Sequence, residues 1–332
     1  MEIKSNFVGG NIAVEKHDGD TYYLKNELRD TTEDWFYWAF CAEGFAGKTI
    51  TFRFCDNRIG YYGPAISHDL KKWEWLGKGK EANAFTYTFD KDENKVYFAH
   101  SMLYHPDRFH EFCKGKNIEI KELCKSRKGR SVPYVSFGSG DRIIFLASRH
   151  HACESSGDYV LEGVLDGLLA NPIENARVIC VPFVDFDGVV DGDQGKARSP
   201  YDHNRDYDIE APAIYPETAA IRKFAENGVL YAFDFHSPWH CFNENDTVFI
   251  VRNRESKLAE FSKFSADLEN NMNEYAFQYK SKNDYPPETN WNSSKTSCFA
   301  NYMLTNSNAD IAFTLETAYF GTEDNIFLQE NA

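Results

Sequence analysis

The second half of the chain consists of short apolar runs that alternate with amphipathic helical stretches. Arg142 to Ala147 is an apolar run, and Tyr159 to Leu169 places its aliphatic residues on one helical face. This alternation favours an α/β domain with a mixed, mostly parallel sheet. Further strands are predicted at Arg177 to Val181, Val229 to Phe235, Thr247 to Val251 and Ile311 to Leu315, and further helices at Pro216 to Asn227 and Glu255 to Phe277.

The first 105 residues have a different rhythm, without a long helical period. Short aromatic and β-branched segments follow one another with turn signals between them, which is typical of an antiparallel β-sandwich. The predicted strands are Thr21 to Leu24, Trp35 to Cys41, Lys48 to Cys55, Phe85 to Phe89 and Lys95 to His100. Because 332 residues exceed the usual size of one core, we predict a β-sandwich domain at 1–105 and an α/β domain at 106–332.

Composition narrows the class of partner. A net charge of -15 argues against nucleic acid or an anionic membrane, because both need a basic surface. No apolar run approaches the ~18 residues of a spanning helix, and the N-terminus lacks the apolar core of a signal peptide, so a cytoplasmic protein is expected. The eight cysteines form no CxxC pair and are expected to be reduced thiols.

His151 and Glu154 follow the first strand of the predicted parallel sheet. Sites in such sheets lie at the carboxyl ends of the strands. Catalytic zinc takes three nitrogen or oxygen ligands and leaves a fourth position to water. The spacing alone is common, however, and two loop residues on the surface are the alternative. His150 and Cys153 are neighbouring candidates, and the spacing to Glu154 favours His151 as the ligand.

His236 ends the predicted strand Val229 to Phe235 and can complete a His, Glu, His ligand set. His240 is close enough to compete with it. We prefer His236 because it shares a strand face with Asp234, two residues before it. A single histidine at a strand end is usually structural, so the ligand role of His236 depends on the other two residues.

Two further segments carry groups suited to a peptide substrate. Asn204 and Arg205 offer an amide and a planar guanidinium that can hold a carboxylate, although a salt bridge that closes a loop is an equal alternative. Glu316 is a carboxylate within an apolar strand, where it needs a partner or a cavity. Next to a metal it could act as a general base on water.

In this order the four segments resemble the M14 family of zinc carboxypeptidases, and most of all its cytosolic carboxypeptidase-like branch. The likeness covers roughly Tyr104 to Phe320. The family pattern of HxxE, Asn-Arg, a strand-end His and a late Glu is matched by His151 and Glu154, Asn204 and Arg205, His236 and Glu316.

The resemblance implies the role of each residue. One zinc ion per chain is held by His151, Glu154 and His236, and Glu316 promotes a zinc-bound water. The Asn-Arg pair holds the terminal carboxylate of the substrate, and Asp202 orients His151. The β-rich first part is similar to the small sandwich domain that precedes the catalytic domain in that branch.

The sequence departs from the family pattern in three places. The family has a further arginine that stabilises the oxyanion, and here either Lys196 or Arg198 could take that role. The family's mobile tyrosine has no clear match, and Tyr285 and Tyr302 are guesses. Only a short tail follows the last motif.

The predicted function is hydrolysis of the C-terminal peptide bond of peptides or proteins. The alternatives are a zinc amidase acting on cell-wall peptides or acylated amino acids, and a non-catalytic zinc-containing binding module. The residues of the side-chain pocket are expected between Thr247 and Ser297, and the branch likeness suggests removal of glutamate. The sequence leaves the residue preference, the physiological substrate and the oligomeric state open.

Overall fold

The computed structural model describes residues 1–79, 81–240, 247–254, 257–272, 279–322 and 325–329. Nine strands in the first 99 residues form two sheets, with the orders β1-β4-β9-β6-β7 and β2-β3-β5-β8. These strands are β1 (Glu2–Lys4), β2 (Ala13–Asp18), β3 (Thr21–Lys25), β4 (Ala39–Glu43), β5 (Thr49–Phe54), β6 (Ala65–Ser67), β7 (Glu74–Trp75), β8 (Ala84–Thr88) and β9 (Lys95–Ala99).

The two sheets pack face to face on an aromatic core. The ring of Phe40 in β4 lies 5.1 Å from that of Phe52 in β5, and Phe98 in β9 lies 5.3 Å from Phe85 in β8. These four residues are buried, as expected where alternate side chains of each strand face the opposite sheet.

The sequence predicted wholly antiparallel pairing in this region, and the structure differs in one place. Tyr22 in β3 lies opposite Phe52 in β5, and these two strands run parallel. The intervening strand β4 belongs to the other sheet, so the chain crosses over and returns in its original direction. The predicted strand at Trp35 also began too early, because β4 starts at Ala39.

The rest of the chain alternates strands with helices. Its elements are α1 (Pro106–Gly115), β10 (Ile120–Lys125), β11 (Ser131–Gly138), β12 (Arg142–Ser148), α2 (Ser156–Ala170), β13 (Ala176–Val181), α3 (Phe186–Asp191), α4 (Pro216–Ala225), β14 (Val229–His236), β15 (Phe249–Val251), α5 (Leu258–Asn271), α6 (Phe299–Asn306), β16 (Ile311–Glu316), β17 (Gly321–Thr322) and β18 (Asn325–Ile326). Short 3₁₀ turns occur at His203–Arg205 and Ser281–Asn283.

Seven of these strands form one sheet with the order β10-β11-β13-β12-β14-β16-β15. The pairings of β12 with β13, β12 with β14 and β14 with β16 are parallel, and the three outer pairings are antiparallel. The sheet is therefore mixed, as predicted, but parallel pairing does not predominate. No predicted element corresponds to α1, β10, β11, α3, α6, β17 or β18; the polar, partly exposed residues of β10, for example, give no apolar run.

Parallel pairing brings the ends of three central strands together. Ser148, the last residue of β12, pairs with Phe235 in β14, and His236 pairs with Glu316 at the end of β16. All the segments predicted to carry ligands or base therefore leave the sheet at the same edge.

One predicted element extends beyond the described residues. The predicted helix at Glu255 to Phe277 corresponds to α5, and residues 255–256 and 273–278 lie outside the described ranges. The seven cysteines within those ranges form no disulfide, in agreement with the prediction, and Cys241 lies outside them. No described helix combines the length and apolarity that crossing a membrane requires.

The segment between β3 and β4 holds the loop between α3 and the 3₁₀ turn at His203. The Gln194 amide donates to the carbonyl of Tyr37 and accepts from the Tyr37 N–H, both at 2.9 Å. Asp30 accepts from the Gln194 and Gly195 N–H groups and from Arg198. Because these bonds fix both the backbone and the side chains, the loop has a defined path.

A buried histidine lies where the two regions meet. His100 follows β9, and its ring contacts those of Phe36, His240 and Tyr319. Among the described residues, neither ring nitrogen has a hydrogen-bond partner. Burial, and then the charges of His240 and Arg58, lower the pKa of His100 well below 6.5.

We expect His100 to make the folded chain sensitive to acid. Below about pH 6.5 the unfolded chain binds a proton at this histidine and the folded chain does not, so the free energy of unfolding falls as the pH drops. His100→Phe should reduce the loss between pH 7.5 and 5.5 by about 1 kcal/mol. Urea unfolding at the two pH values measures the free energy of unfolding and therefore its loss. The exposed His110→Gln serves as the control, and equal losses in wild type and His100→Phe would contradict the prediction.

Candidate metal and catalytic centre

Three predicted ligands converge at the sheet edge. His151 Nδ1 lies 2.9 Å from Glu154 Oε1, and His236 Nδ1 lies 2.7 Å from Glu154 Oε2 and 3.1 Å from His151 Nδ1. Tetrahedral ligands about 2.1 Å from a zinc ion are separated by roughly 3.4 Å, somewhat more than these spacings. The donor set and its geometry therefore fit a zinc ion.

The outer nitrogens of both histidines face carboxylates. His236 Nε2 lies 2.7 Å from Asp234 Oδ2, and His151 Nε2 lies 3.7 Å from Asp202 Oδ1. A carboxylate there favours the tautomer with its proton on Nε2, which leaves a lone pair on Nδ1. With both imidazoles neutral, two lone pairs and the Glu154 carboxylate face a single point, as the ligands of one cation do.

The other candidates for ligands point elsewhere. His150 lies between Asp234 and Tyr207, 2.7 Å from each, and is fully buried. His150, Asp234 and His236 form a second group of ligand atoms, of which only His236 lines the cavity described below, whereas both histidines of the first group line it. His240 packs on Phe36 with ring centres 4.3 Å apart. The buried Cys153 belongs to neither group of ligand atoms.

The electrostatics of the centre also favour a cation. Burial opposes ionisation of Glu154, but the charges of His151 and Lys196 outweigh it and hold the Glu154 pKa well below 4.5. Burial likewise opposes ionisation of Asp234, yet His150 and His236 lower its pKa to about 2. Both carboxylates are therefore charged at neutral pH and nine-tenths or more buried, and such charges require compensation.

Glu316 lies beside the three ligands. Its Oε2 atom is buried and has no hydrogen-bond partner among the described residues. Burial, and then the negative charge of Glu154, raise the pKa of Glu316 to about 7. A carboxylate with an unused oxygen and a raised pKa can accept a proton near neutral pH.

Asn204 and Arg205 occupy the 3₁₀ turn on the side of His236. Asn204 Oδ1 accepts from the Phe299 N–H at 3.1 Å, and its Nδ2 lies 3.4 Å from His236 Nε2. Arg205 donates to the Asn204 carbonyl and pairs with no carboxylate within the described ranges. Both side chains line the cavity, and Arg205 has charge and donors to offer an anion.

The structure separates the two cations that the sequence left as alternatives. Lys196 Nζ lies 2.9 Å from Glu154 Oε1 and lines the cavity. Arg198 instead pairs with Asp30, Asp185 and Asp193 away from the centre. Gly195 permits this close approach, because a Cβ there would lie 2.1 Å from the Ala152 N atom, and its φ is +73°.

One cavity of about 310 Å³ joins most of these groups. Its lining includes His151, Lys196, Asn204, Arg205, His236 and Glu316. Trp35, from the N-terminal region, closes it beside Lys196, whose Nζ lies 4.7 Å from the Trp35 ring centre. On the far side the lining includes Val251, Asn253, Trp291, Asn292, Ser293, Thr296, Cys298 and Thr314. Most of these lie in the stretch expected to form the side-chain pocket. The two guessed tyrosines, Tyr285 and Tyr302, are not among the lining residues.

Three residues contribute to the centre in ways that were not predicted. His150 and Tyr207 continue the hydrogen-bonded row from His236 through Asp234, and the only signal was the adjacency of His150 to a predicted ligand. Trp35 comes from a distant part of the chain, and nothing in its local sequence indicates a site.

Comparison with known proteins agrees with the motif analysis. The chain is 25% identical over 256 residues to an uncharacterized protein of Zymomonas mobilis, covering 71% of this chain and 67% of that protein. It is 24% identical over 218 residues to cytosolic carboxypeptidase 2 of Xenopus tropicalis, covering 57% of this chain. That alignment spans only 22% of the Xenopus protein, so the chain covers less than a quarter of this relative. No family model matches the chain.

Solved structures extend the likeness to both regions. A metallo-carboxypeptidase from Burkholderia cenocepacia superposes with a TM-score of 0.79 over 99% of this chain and 94% of its own, at 19% identity. The chain has the metallo-carboxypeptidase fold. A metallo-carboxypeptidase from Pseudomonas aeruginosa, solved in complex with (2-guanidinoethylmercapto)succinic acid, gives 0.79 over 100% of this chain and 95% of its own, at 16% identity. The predicted resemblance to the cytosolic carboxypeptidase-like branch is confirmed.

We expect about one zinc per chain in wild type and none in His151→Ala or His236→Ala, because three ligands are needed for a stable site. Elemental analysis of the purified protein after dialysis measures the metal. His110→Ala, at an exposed histidine outside the centre, should keep its zinc. Zinc retained in both ligand variants, or absent from wild type after supplementation, would disprove the site.

Proposed function

We propose that the protein is a zinc-dependent metallocarboxypeptidase that hydrolyses the C-terminal peptide bond of peptides or proteins. The supporting observation is that one cavity contains His151 and His236 of the ligand set, Glu316, and the Asn204 and Arg205 pair. Only a substrate with a scissile carbonyl near a free carboxylate would use all of these groups together.

The proposed ligands are His151, Glu154 and His236, with one zinc per chain. When bound, zinc acts as a Lewis acid that polarises a carbonyl and makes water more acidic. Asp234 holds the His236 imidazole by a hydrogen bond to Nε2, and the charge of Asp202, 3.7 Å from His151 Nε2, favours a proton on that nitrogen. The protein thus supplies the tautomers as well as the ligands.

Glu316 is the proposed general base. Its free oxygen takes a proton from the attacking water and later delivers it to the leaving amine. The Asn204 amide and the Arg205 guanidinium hold the terminal carboxylate. Fixing the carboxylate aligns the last peptide bond with Glu316, and this positioning lowers the entropic part of the barrier.

Lys196 is the proposed group that stabilises the oxyanion. Burial opposes its charge, but Glu154 and Glu316 outweigh that effect and raise the Lys196 pKa, so the ammonium stays protonated. A cation fixed on the cavity wall attracts the charge that develops on the carbonyl oxygen. Lys196 therefore takes the position that the family assigns to arginine, with a point charge in place of a planar fork.

We also propose that residues 1–105 form a β-sandwich domain and residues 106–332 the catalytic domain. The contacts of Gln194 and Asp30 suggest that the sandwich keeps the Lys196 loop in place. A cytoplasmic location stays a prediction.

Zinc-loaded protein should release the last residue from a mixed peptide library, measured by mass spectrometry. The same peptides with an amidated C-terminus should resist, because Arg205 then has no carboxylate to bind. Peptidoglycan fragments and acylated amino acids in the same screen test the amidase alternative. Release only from those compounds would replace the carboxypeptidase proposal, and no release from any substrate would favour the binding-module alternative.

Glu316→Gln is the matched control for this screen. It removes the base while preserving the size of the side chain, so the protein should keep its zinc and lose turnover by at least about 10²-fold. Unchanged turnover would disprove the role assigned to Glu316.

Lys196→Met should lower kcat/KM by about 10²- to 10³-fold without loss of folding, because it removes the oxyanion charge. Lys196→Arg should restore part of the rate. Zinc content and thermal unfolding are measured in parallel with the kinetics.

Arg198→Met provides the contrast. It removes one partner from three buried ion pairs and should destabilise the protein by roughly 3–5 kcal/mol. If Lys196→Met kept the wild-type rate while folded Arg198→Met lost it, the two assignments would be reversed.

A further inference from the structure

Six of the residues that line the cavity form what we call the inner pocket: Val251, Asn253, Asn292, Thr296, Cys298 and Thr314. Val251 pairs with Thr314 in the sheet, two residues before Glu316. Cys298 precedes Phe299, whose N–H holds the Asn204 amide. In the proposed function, this is where the side chain of the departing C-terminal residue lies.

The hydrogen bonds of the inner pocket fix the orientation of its buried amide. Asn292 donates its NH₂ group to the carbonyls of Arg252, Tyr285 and Pro286, at 2.8, 3.3 and 2.9 Å. Its Oδ1 therefore faces Asn253, whose Nδ2 lies 3.5 Å away. That Nδ2 also lies 3.8 Å from Cys298 Sγ. These hydrogen bonds determine which end of each amide is the nitrogen and which is the oxygen.

This orientation leaves an acceptor without a donor. Asn253 is only 4% exposed, and its buried Oδ1 has no hydrogen-bond partner among the described residues. A buried carbonyl oxygen needs a donor, and the open side of Asn253 is the inner pocket. A ligand with an N–H at this point would supply that donor.

The inner pocket contains no charged side chain among its six residues. The adjacent Arg252 is turned to Asp284, with Nη2 2.6 Å from Oδ2, and Asp284 also accepts from the Ile250 N–H. A glutamate side chain would place a carboxylate beside Asn253 Oδ1, and a lysine would find no carboxylate. Either charge would be desolvated without a partner, which is unfavourable.

We propose that the inner pocket selects a neutral carboxamide side chain, with Asn253 as the specificity-determining residue; this inference rests on the proposed function. The substrate class is then a peptide that ends in glutamine or asparagine. The substrate NH₂ donates to Asn253 Oδ1, and the hydroxyls of Thr296 and Thr314 can donate to the substrate carbonyl. The glutamate preference suggested by the family likeness does not fit these six residues.

The test compares N-acetylated tetrapeptides that differ only in their last residue, which is Gln, Glu, Lys or Leu. Gln and Glu have nearly the same shape and differ in charge, and Leu matches their size without polar atoms. With zinc-loaded wild type, kcat/KM for the Gln peptide should exceed that for each other peptide by about 10-fold or more. A Glu or Lys peptide cleaved faster than the Gln peptide would overturn the inference and leave the carboxypeptidase function intact.

Two variants assign the preference to Asn253. Asn253→Leu should abolish the advantage of Gln over Leu by lowering the rate for Gln. Asn253→Asp has nearly the same size and adds a charge, so the Lys peptide should gain relative to Gln. The matched control is Asn306→Leu, at an exposed position outside the cavity, which should keep the wild-type profile. An unchanged profile in both folded Asn253 variants would overturn the assignment.

Binding separates this inference from the function on which it rests. Calorimetry with zinc-loaded Glu316→Gln measures affinity for the same peptides without turnover. Gln should bind about 10-fold or more tightly than Glu, and adding Asn253→Leu should remove the difference. If no peptide is cleaved, the proposed function fails, and these affinities still decide the inner pocket: equal binding of Gln and Glu overturns the inference, and a Gln advantage that depends on Asn253 supports it.

Discussion

The parallel pairing of β12, β14 and β16 is the constraint on which the site depends. Backbone hydrogen bonds hold neighbouring strands about 4.8 Å apart, so residues in register at the strand ends cannot separate. His236 and Glu316 are such a pair. The loop after β12 brings His151 and Glu154 to the same edge. The strand pairing therefore places His151, Glu154 and His236 in contact.

This arrangement places several carboxylates together in a buried site. Glu154, Asp234, Asp202 and Glu316 are all buried, and their repulsion must be offset by nearby cations and donors. Lys196 and the histidines offset part of this negative charge. The donor set fits a zinc ion, which would offset the remainder. The burial that raises the pKa of Glu316 and the ion pairs that lower the pKa of Glu154 give two neighbouring glutamates different protonation behaviour.

The N-terminal sheets contribute to the site as well as to the bulk of the fold. Gln194 is bonded on both sides of its amide to Tyr37, and Asp30 holds the next two backbone groups of the loop. Lys196 follows directly and reaches the centre beside Trp35. In the proposed mechanism Lys196 attracts the charge that develops on the carbonyl oxygen, and these hydrogen bonds fix its backbone in advance.

The sequence by itself determined the alternation of strands and helices in the second half of the chain and the identity of the four motif segments, because these depend on side-chain periodicity and local chemistry. It could not determine the parallel pairing of β3 with β5 or the equal share of antiparallel pairings in the large sheet, which depend on how the chain crosses between layers. It also left Lys196 and Arg198 equivalent, since both are cations in one loop. Tertiary contacts decided between them: three carboxylates hold Arg198 away from the cavity, and the close packing of Gly195 on Ala152 brings Lys196 to Glu154.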